Sequence, residues 1–133
     1  TTTSERVDIA CNMSGVRHFI DVAITHPFQQ SAQGVQRAAQ CAGGWATEYE
    51  GVKRKKYASI FGKNNKNEGS QVLVPFVVDT FGAMGETAAA FVKRAVPLYA
   101  RRLGLSTAVA GRVFAGRLTT CVIRELAEIV ASA

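Results

Sequence analysis

The sequence is poor in the residues that build zinc sites and disulfide frameworks. It holds three cysteines and two histidines in 133 residues, and no two cysteines form a Cys-x-x-Cys pair. A structural zinc site is therefore not expected. An odd number of widely spaced cysteines favours free thiols in a reducing, intracellular compartment. The chain also has no internal repeat and no low-complexity segment, which argues against a repeat architecture.

Long apolar runs are missing as well. No stretch approaches the roughly 20 continuous apolar residues of a membrane-spanning helix, so no membrane partner is expected. The chain has no basic-then-apolar leader, and it opens with Thr-Thr-Thr-Ser rather than with methionine. We therefore expect a piece cut from a longer polypeptide.

Acidic residues are in the minority. Ten Asp and Glu stand against sixteen Lys and Arg, which gives a formal net charge of +6. This excess favours an anionic partner such as nucleic acid or an anionic membrane. Hydrophobic residues make up 47% of the chain, which is enough to build the core of one domain.

The first half of the chain has the pattern of a mixed α/β domain. Alternating and β-branched residues predict a β-hairpin over 6–27, and Asn-Met-Ser-Gly at 12–15 predicts its turn. The Gln-, Ala- and Gly-rich segment 28–44 predicts a loop with at most a short helix. A helix is expected over 45–61, followed by a polar, mobile loop at 62–70.

The second half begins with a continuous apolar run over 71–80, which predicts a buried strand. Pro75 inside this run predicts an edge position or a bulge. Two helices should follow. The first is expected over 86–103, with a kink or break at Pro97, and the second over 106–130. We expect residues 1–85 to form an α/β core and residues 86–133 a helical part of the same domain.

Two acids belong to the predicted hairpin. Asp8 and Asp21 lie 13 positions apart, one on each strand. A short turn can place such residues side by side on one face, where two carboxylates can bind a hard cation such as Mg²⁺. Asp21 stands in an apolar stretch, where a charge is costly unless it is paired or metal-bound. The alternative is a salt bridge with Arg6, Arg17 or a lysine of the following helix.

The predicted helix over 45–61 carries four consecutive cations. At about 100° per residue, one face should pack on the sheet. That face carries Trp45, Tyr49, Val52, Lys56 and Ile60. Lys53 falls at its margin, while Arg54 and Lys55 point away. A lysine held on this face near a metal-bound phosphate could orient a water or stabilise developing charge. The alternative is a run of cations that contacts phosphate or solvent.

This arrangement resembles the PD-(D/E)xK, or restriction-endonuclease-like, nucleases. In that fold, an Asp on one hairpin strand and a (D/E)-x-K on the next bind metal and position the nucleophile. Asp8 corresponds to the first acid, without the proline that usually precedes it, and Asp21 corresponds to the second. Ala23 stands where the strand lysine would be. Some members draw this lysine from the following helix, where Lys53 and Lys56 are the candidates.

A closer resemblance is to the endonuclease domain of site-specific non-LTR retrotransposons, found downstream of the reverse transcriptase. The matching segments are 6–8, 19–27, 50–57 and 74–82. They carry Asp-Val followed by Thr-x-Pro, then Glu-x-x-Lys-x-x-Lys-Tyr, then a Pro-Phe-Val strand that ends in acid-Thr-x-Gly. The resemblance implies a nuclear endonuclease that uses Mg²⁺ or Mn²⁺. It would nick target DNA for a reverse transcriptase carried by a larger parent polypeptide.

The resemblance also implies roles for single residues. Asp8 and Asp21 would hold the metal ion, and Lys53 or Lys56 would position the attacking water or stabilise the transition state. Basic residues of the helix and of the loop after it would contact DNA. These are Arg54, Lys55, Lys63 and Lys66. The C-terminal arginines, Arg101, Arg102, Arg112, Arg117 and Arg124, form either a solvated face or a further DNA track.

Three more residues could support such a site. Glu50 could be a further ligand or the i,i+4 partner of Arg54. Tyr57 should pack or touch phosphate. Asp79 could support the metal ligands or cap a turn with Thr80. Three alternatives remain: a degenerate nuclease fold that binds DNA without cutting, an assembly domain, and a resolvase-type nuclease of the same superfamily.

Overall fold

The computed structural model describes residues 7–26, 36, 39–61 and 71–131. Its sheet has three strands in the order β1 (Ile9–Met13), β2 (Val16–Thr25) and β3 (Gln71–Asp79). β1 pairs antiparallel with β2, and β2 pairs parallel with β3. The expectation of a mixed α/β domain is therefore confirmed.

The hairpin turns at the predicted place. Met13 pairs with Val16, so only two residues form the loop between the strands. Ser14 and Gly15 have φ values of 52° and 76°. Positive φ at both loop positions suits the right-handed twist of the flanking strands, and glycine adopts it without steric cost.

A helical connection joins the two parallel strands, as parallel pairing requires. It contains helix α1 (Gly44–Lys56) and a single helical turn, α2 (Ala58–Phe61). Tyr57 lies between them, with a φ of −99°. The helix predicted over 45–61 is thus present but interrupted at this residue. The loop predicted at 62–70 lies outside the described residues, as does most of the one predicted at 28–44.

β3 is an edge strand of the described sheet. This confirms the edge position, one of the two alternatives that Pro75 predicts. Pro75 pairs with Asp21 in the register of the parallel strands. Since proline has no N–H to donate, it fits an edge strand at no cost in ladder hydrogen bonds.

Helices α3 (Glu86–Leu103) and α4 (Thr107–Ala131) form a helical hairpin. α3 ends at Gly104, whose φ of 67° glycine adopts freely. α3 runs through Pro97 without ending, so the break, one of the two predicted effects of this proline, does not occur. Pro97 cannot donate to the carbonyl of Lys93, and both residues are exposed, so water can replace the missing donor.

Two apolar clusters cover the two faces of the sheet. α3 and α4 pack on one face, where Ile20, Val74 and Phe76 join Ala88 and Val122 in the larger cluster. α1 and α2 lie on the other face, where the buried core is formed by Tyr57, Phe61 and Leu73. Successive residues of a strand point to opposite faces, so the residue after Ile20 points to the α1 side. That residue is Asp21.

Candidate functional site

A buried ion pair lies between the central strand and α1. Asp21 on β2 is 4% exposed. Lys53 on α1 places its Nζ 3.0 Å from Asp21 Oδ2, and its side chain is 17% exposed. A carboxylate in such a position needs a partner, because an unpaired charge in the interior is costly. The sequence predicted that Asp21 would be either salt-bridged or metal-bound, and the structure supplies the salt bridge.

The ion pair leaves Asp21 incompletely satisfied. Although Lys53 is within 3.0 Å, no donor among the described residues meets Asp21 Oδ2 in hydrogen-bond geometry. Buried carboxylate oxygens are normally hydrogen-bonded, so this atom can still accept a donor or a cation.

Asp8 lies next to this pair, one residue before β1. Its Oδ2 accepts the backbone N–H of Val22 at 2.8 Å, so its carboxylate is fixed on the peptide bond that follows Asp21. The N–H of Asp8 donates to the carbonyl of Ile20 at 3.1 Å. In the register of β1 and β2, however, Ile20 lies opposite Ile9 and not opposite Asp8. The regular ladder therefore does not continue to Asp8. Asp8 itself is exposed, in contrast to Asp21.

α1 is rotated from the predicted orientation. Val52 and Ile60 should have packed on the sheet, but they are 55% and 53% exposed. The inward positions are Ala46, Glu50, Lys53 and Tyr57. This face lies about 90° around the helix axis from the predicted one. The margin position, Lys53, is therefore the lysine that reaches the sheet.

Lys56 does not share this placement. It is exposed, and its Nζ lies 5.1 Å from the ring centre of Tyr57. The prediction that it lies on the sheet-facing side is wrong, because the rotation of α1 turns it toward solvent. Lys55 is exposed as predicted.

Glu50 holds α1 in this orientation. Its side chain has no exposed surface, and its two oxygens accept the N–H groups of Thr87 at 3.0 Å and Ala88 at 3.1 Å. These donors belong to the first turn of α3, where a negative charge is favourable. Gly85 permits the approach, because a Cβ there would collide with Glu50 Oε1. Burial of a glutamate at the centre of a helix face is not visible in hydrophobic periodicity.

Arg54 completes this junction. Its guanidinium hydrogen-bonds Thr87 Oγ1 and lies 4.0 Å from Glu50 Oε2. The i,i+4 pairing of Glu50 with Arg54 is confirmed. Arg54 is half-buried between α1 and α3, so the expectation that it points away from the fold is wrong.

The two remaining support candidates have structural roles. Tyr57 is buried against Phe61 and Leu73, which confirms that it packs. Asp79 is buried, and its Oδ1 accepts the N–H groups of Phe81 at 2.9 Å and Ala83 at 3.0 Å. Asp79 thus caps the turn after β3.

Thr80 does not take part in this cap through its side chain. Its hydroxyl is hydrogen-bonded to His26 Nδ1 at 2.6 Å. A second polar contact ties the start of α1 to the sheet: Trp45 Nε1 donates to Thr25 Oγ1 at 3.0 Å. Sequence reasoning did not assign either contact, since it took Trp45 only as an apolar residue.

Lys63 and Lys66 lie outside the described residues. Within the described ranges, no three His, Cys, Asp or Glu side chains lie together as a metal-binding group. No helix in those ranges is both long enough and apolar enough to cross a membrane. No protein-family model, curated protein or solved structure matches the chain.

Proposed function

We propose that this chain is a metal-dependent DNA endonuclease domain with a restriction-endonuclease-like core. The observation that carries the proposal is the Lys53–Asp21 pair, with 3.0 Å between Nζ and Oδ2, on the central strand beside Asp8. An acid at the start of a hairpin, an acid on its second strand and a lysine from the next helix form the constellation of the PD-(D/E)xK nucleases. The antiparallel hairpin and the parallel third strand support the same core.

The acids fit a hard divalent cation. Asp21 Oδ2 has the Lys53 ammonium 3.0 Å away but outside hydrogen-bond geometry, and exposed Asp8 is held on the N–H of Val22, the next residue. Carboxylate oxygens are the ligands that Mg²⁺ and Mn²⁺ prefer. Asp8 and Asp21 would hold such an ion. When bound, it would supply charge neutralisation at a phosphoryl oxygen and a more acidic water.

Lys53 would act beside the ion, from its place at Asp21 Oδ2. Its ammonium group is mostly buried and already positioned, so it can orient a water or stabilise charge that develops on the phosphate. Lys55 and Lys56 are exposed on the same helix and would contact the DNA backbone. We extend the same proposal to Lys63 and Lys66. Arg54 would support the site through its place between α1 and α3.

The wider setting follows from the same resemblance. The domain would act in the nucleus, as part of a larger polypeptide that carries a reverse transcriptase, and would nick target DNA for it. The nick would supply the primer end that such an enzyme needs.

The test is nicking of supercoiled plasmid with Mg²⁺ or Mn²⁺. We expect cleavage that EDTA abolishes and that Asp21→Asn and Lys53→Met each reduce at least about a hundredfold. Arg17→Gln is the control, because Arg17 is an exposed cation of the same strand that hydrogen-bonds Asn12 rather than Asp21. Full activity of both site variants would overturn the proposal.

A second candidate is a nuclease-like fold that binds DNA without cutting it. The observation in its favour is that Lys53 pairs directly with Asp21 and thereby competes with a metal ion for the carboxylate. Ala23 on the same strand face adds no further ligand. Wild-type protein that shifts DNA on a gel but leaves plasmid intact in both metals would select this candidate.

A further inference from the structure

The α3–α4 hairpin carries a charge pattern of its own. Its two helices carry seven cations against three acids, Glu86, Glu125 and Glu128, and no acid lies between residues 87 and 124. All seven are exposed: Lys93, Arg94, Arg101, Arg102, Arg112, Arg117 and Arg124. Among the described residues, none of them has an acidic partner within ion-pair distance. A solvated surface normally mixes charges of both signs more evenly, so an excess of seven cations over three acids favours an anionic partner.

The cations lie on exposed faces of the two helices, and Lys93 and Arg94 also line a groove shared with Met13 and Val16 of the β1–β2 hairpin. Arg94 and Arg101 are seven residues apart on α3, so they share one face, and Arg117 and Arg124 repeat this spacing on α4. Two buried residues of these helices, Ala88 and Val122, belong to the apolar cluster on the sheet instead. The basic surface is therefore the outer surface of the helical hairpin.

This surface lies on the opposite side of the sheet from the candidate site. α3 and α4 cover the face that carries Ile20, whereas Lys53 reaches the face that carries Asp21. A straight duplex seated at Asp21 and Lys53 cannot also run along the outer surface of α3 and α4. Any polyanion bound there occupies a separate site.

The arrangement favours a phosphate backbone over a lipid surface. A helix that lies on a membrane separates a continuous apolar face from a cationic face. On α3, exposed Leu98 is four residues from both Arg94 and Arg102, and on α4 exposed Val113 is four residues from Arg117. Apolar and cationic residues are thus mixed on one surface, and arginine pairs well with phosphate oxygens.

We propose that the outer surface of the α3–α4 hairpin is a second DNA-binding surface, which holds the backbone of a duplex separate from the one at Asp21 and Lys53. The domain would then hold two duplex segments at once, one on each side of its sheet. DNA binding at this surface does not require cleavage, so it can be tested independently of the proposed nuclease activity.

The test is the stoichiometry and salt dependence of duplex binding in EDTA, measured by fluorescence anisotropy with a short labelled duplex. Three variants each remove two charges: Arg94→Gln with Arg101→Gln, Arg117→Gln with Arg124→Gln, and, as the matched variant of the other side, Lys55→Gln with Lys56→Gln. We expect wild type to bind two duplexes. The variant that combines all four arginine substitutions of the hairpin should bind one duplex. The slope of its logarithmic binding constant against the logarithm of the salt concentration should fall by about 0.9 for each phosphate that it no longer neutralises.

Energy transfer between two differently labelled duplexes gives a second readout. Wild type should bring the two together, and the combined hairpin variant should not. If only the hairpin binds DNA, wild type will bind one duplex and the hairpin variant none, which supports this surface while opposing the site at Asp21.

Two outcomes would overturn the inference. One is a hairpin variant with the stoichiometry and salt slope of wild type. The other is a variant that loses binding to phosphatidylserine vesicles in a flotation assay but keeps all duplex binding, which would make the surface a lipid site. Circular dichroism melting shows whether the combined variant folds. If it does not fold, the two variants with two substitutions each are measured in its place.

Discussion

Glu50 Oε1 accepts the backbone N–H of Ala88 at 3.1 Å, from a side chain that has no exposed surface. This contact fixes α1 against the first turn of α3. Because Lys53 lies three residues after Glu50, nearly one helical turn, the same rotation of α1 directs Lys53 toward the sheet. The contact between two helices thereby decides which of four consecutive cations reaches Asp21.

We first predict that Glu50→Ala is strongly destabilising. The substitution leaves the N–H groups of Thr87 and Ala88 without their acceptor and removes a favourable charge from the N-terminus of α3. The free energy of unfolding should fall by about 3 kcal/mol, measured by urea denaturation. Glu128→Ala removes an exposed carboxylate of α4 and should change it by less than about 0.5 kcal/mol. Equal stability of the two variants would contradict this role of Glu50.

A second prediction concerns Gly85, which provides the space for that carboxylate. Gly85 has an ordinary extended backbone, with φ −65° and ψ 164°, so Gly85→Ala should cost stability chiefly through its collision with Glu50, whose atoms lie nearest to the added Cβ. We expect a loss of about 2 kcal/mol in wild type and much less in the Glu50→Ala background, a coupling that a double-mutant cycle measures.

Gly116 provides the matched control for this substitution. It lies in α4, and a Cβ there would meet nothing within 4 Å. Gly116→Ala should therefore raise the free energy of unfolding by about 0.5–1 kcal/mol, because alanine favours a helix more than glycine does. The same substitution should thus lower the free energy of unfolding at Gly85 and raise it at Gly116. A loss at Gly85 that persists unchanged without the Glu50 side chain would show that another neighbour causes it.

The strands and the long helices follow from local patterns. The hairpin, β3, α3 and α4 all form where alternation, turn residues and helix caps predict them. Ser106 Oγ, for example, accepts the N–H of Val109 at 3.2 Å and begins α4 as an N-cap should. These features depend on neighbours in the sequence, and a single sequence contains them.

The candidate site was predictable only in part. The pairing of Asp21 with a helix cation follows from the cost of burying a lone carboxylate. The orientation of α1 does not follow, because it depends on Glu50 meeting residues 85–88, more than 30 positions away. Periodicity follows the apolar residues, so it placed Val52 inward together with Lys56 and left Glu50 outside the sheet-facing side. A long-range polar contact of this kind has no signature in spacing.

A third prediction tests the proline inside α3. Pro97 cannot donate to the carbonyl of Lys93, and Pro97→Ala restores the donor and removes the steric conflict. We expect the free energy of unfolding to rise by about 1–2 kcal/mol, less than the full helix penalty because alanine also makes the unfolded chain more flexible. Thermal and urea denaturation measure this change. Ala90→Ser, at an exposed position of the same helix, should change stability by no more than about 0.5 kcal/mol. No gain at Pro97 would mean that its ring makes contacts that offset its cost.

The last prediction separates the structural and chemical roles of the ion pair. Lys53→Met leaves the buried Asp21 carboxylate without its cation, and Asp21→Asn leaves Lys53 without its anion, so each variant alone should lose about 2–3 kcal/mol of stability. The double variant Asp21→Asn with Lys53→Met removes both charges and should recover much of that loss. Urea denaturation of the four proteins gives the coupling energy. Nicking of plasmid should be lost in all three variants, including the restabilised one, because cleavage needs both groups. A double variant that recovers stability and nicking together would show that the pair only supports the fold and that the chemistry lies elsewhere.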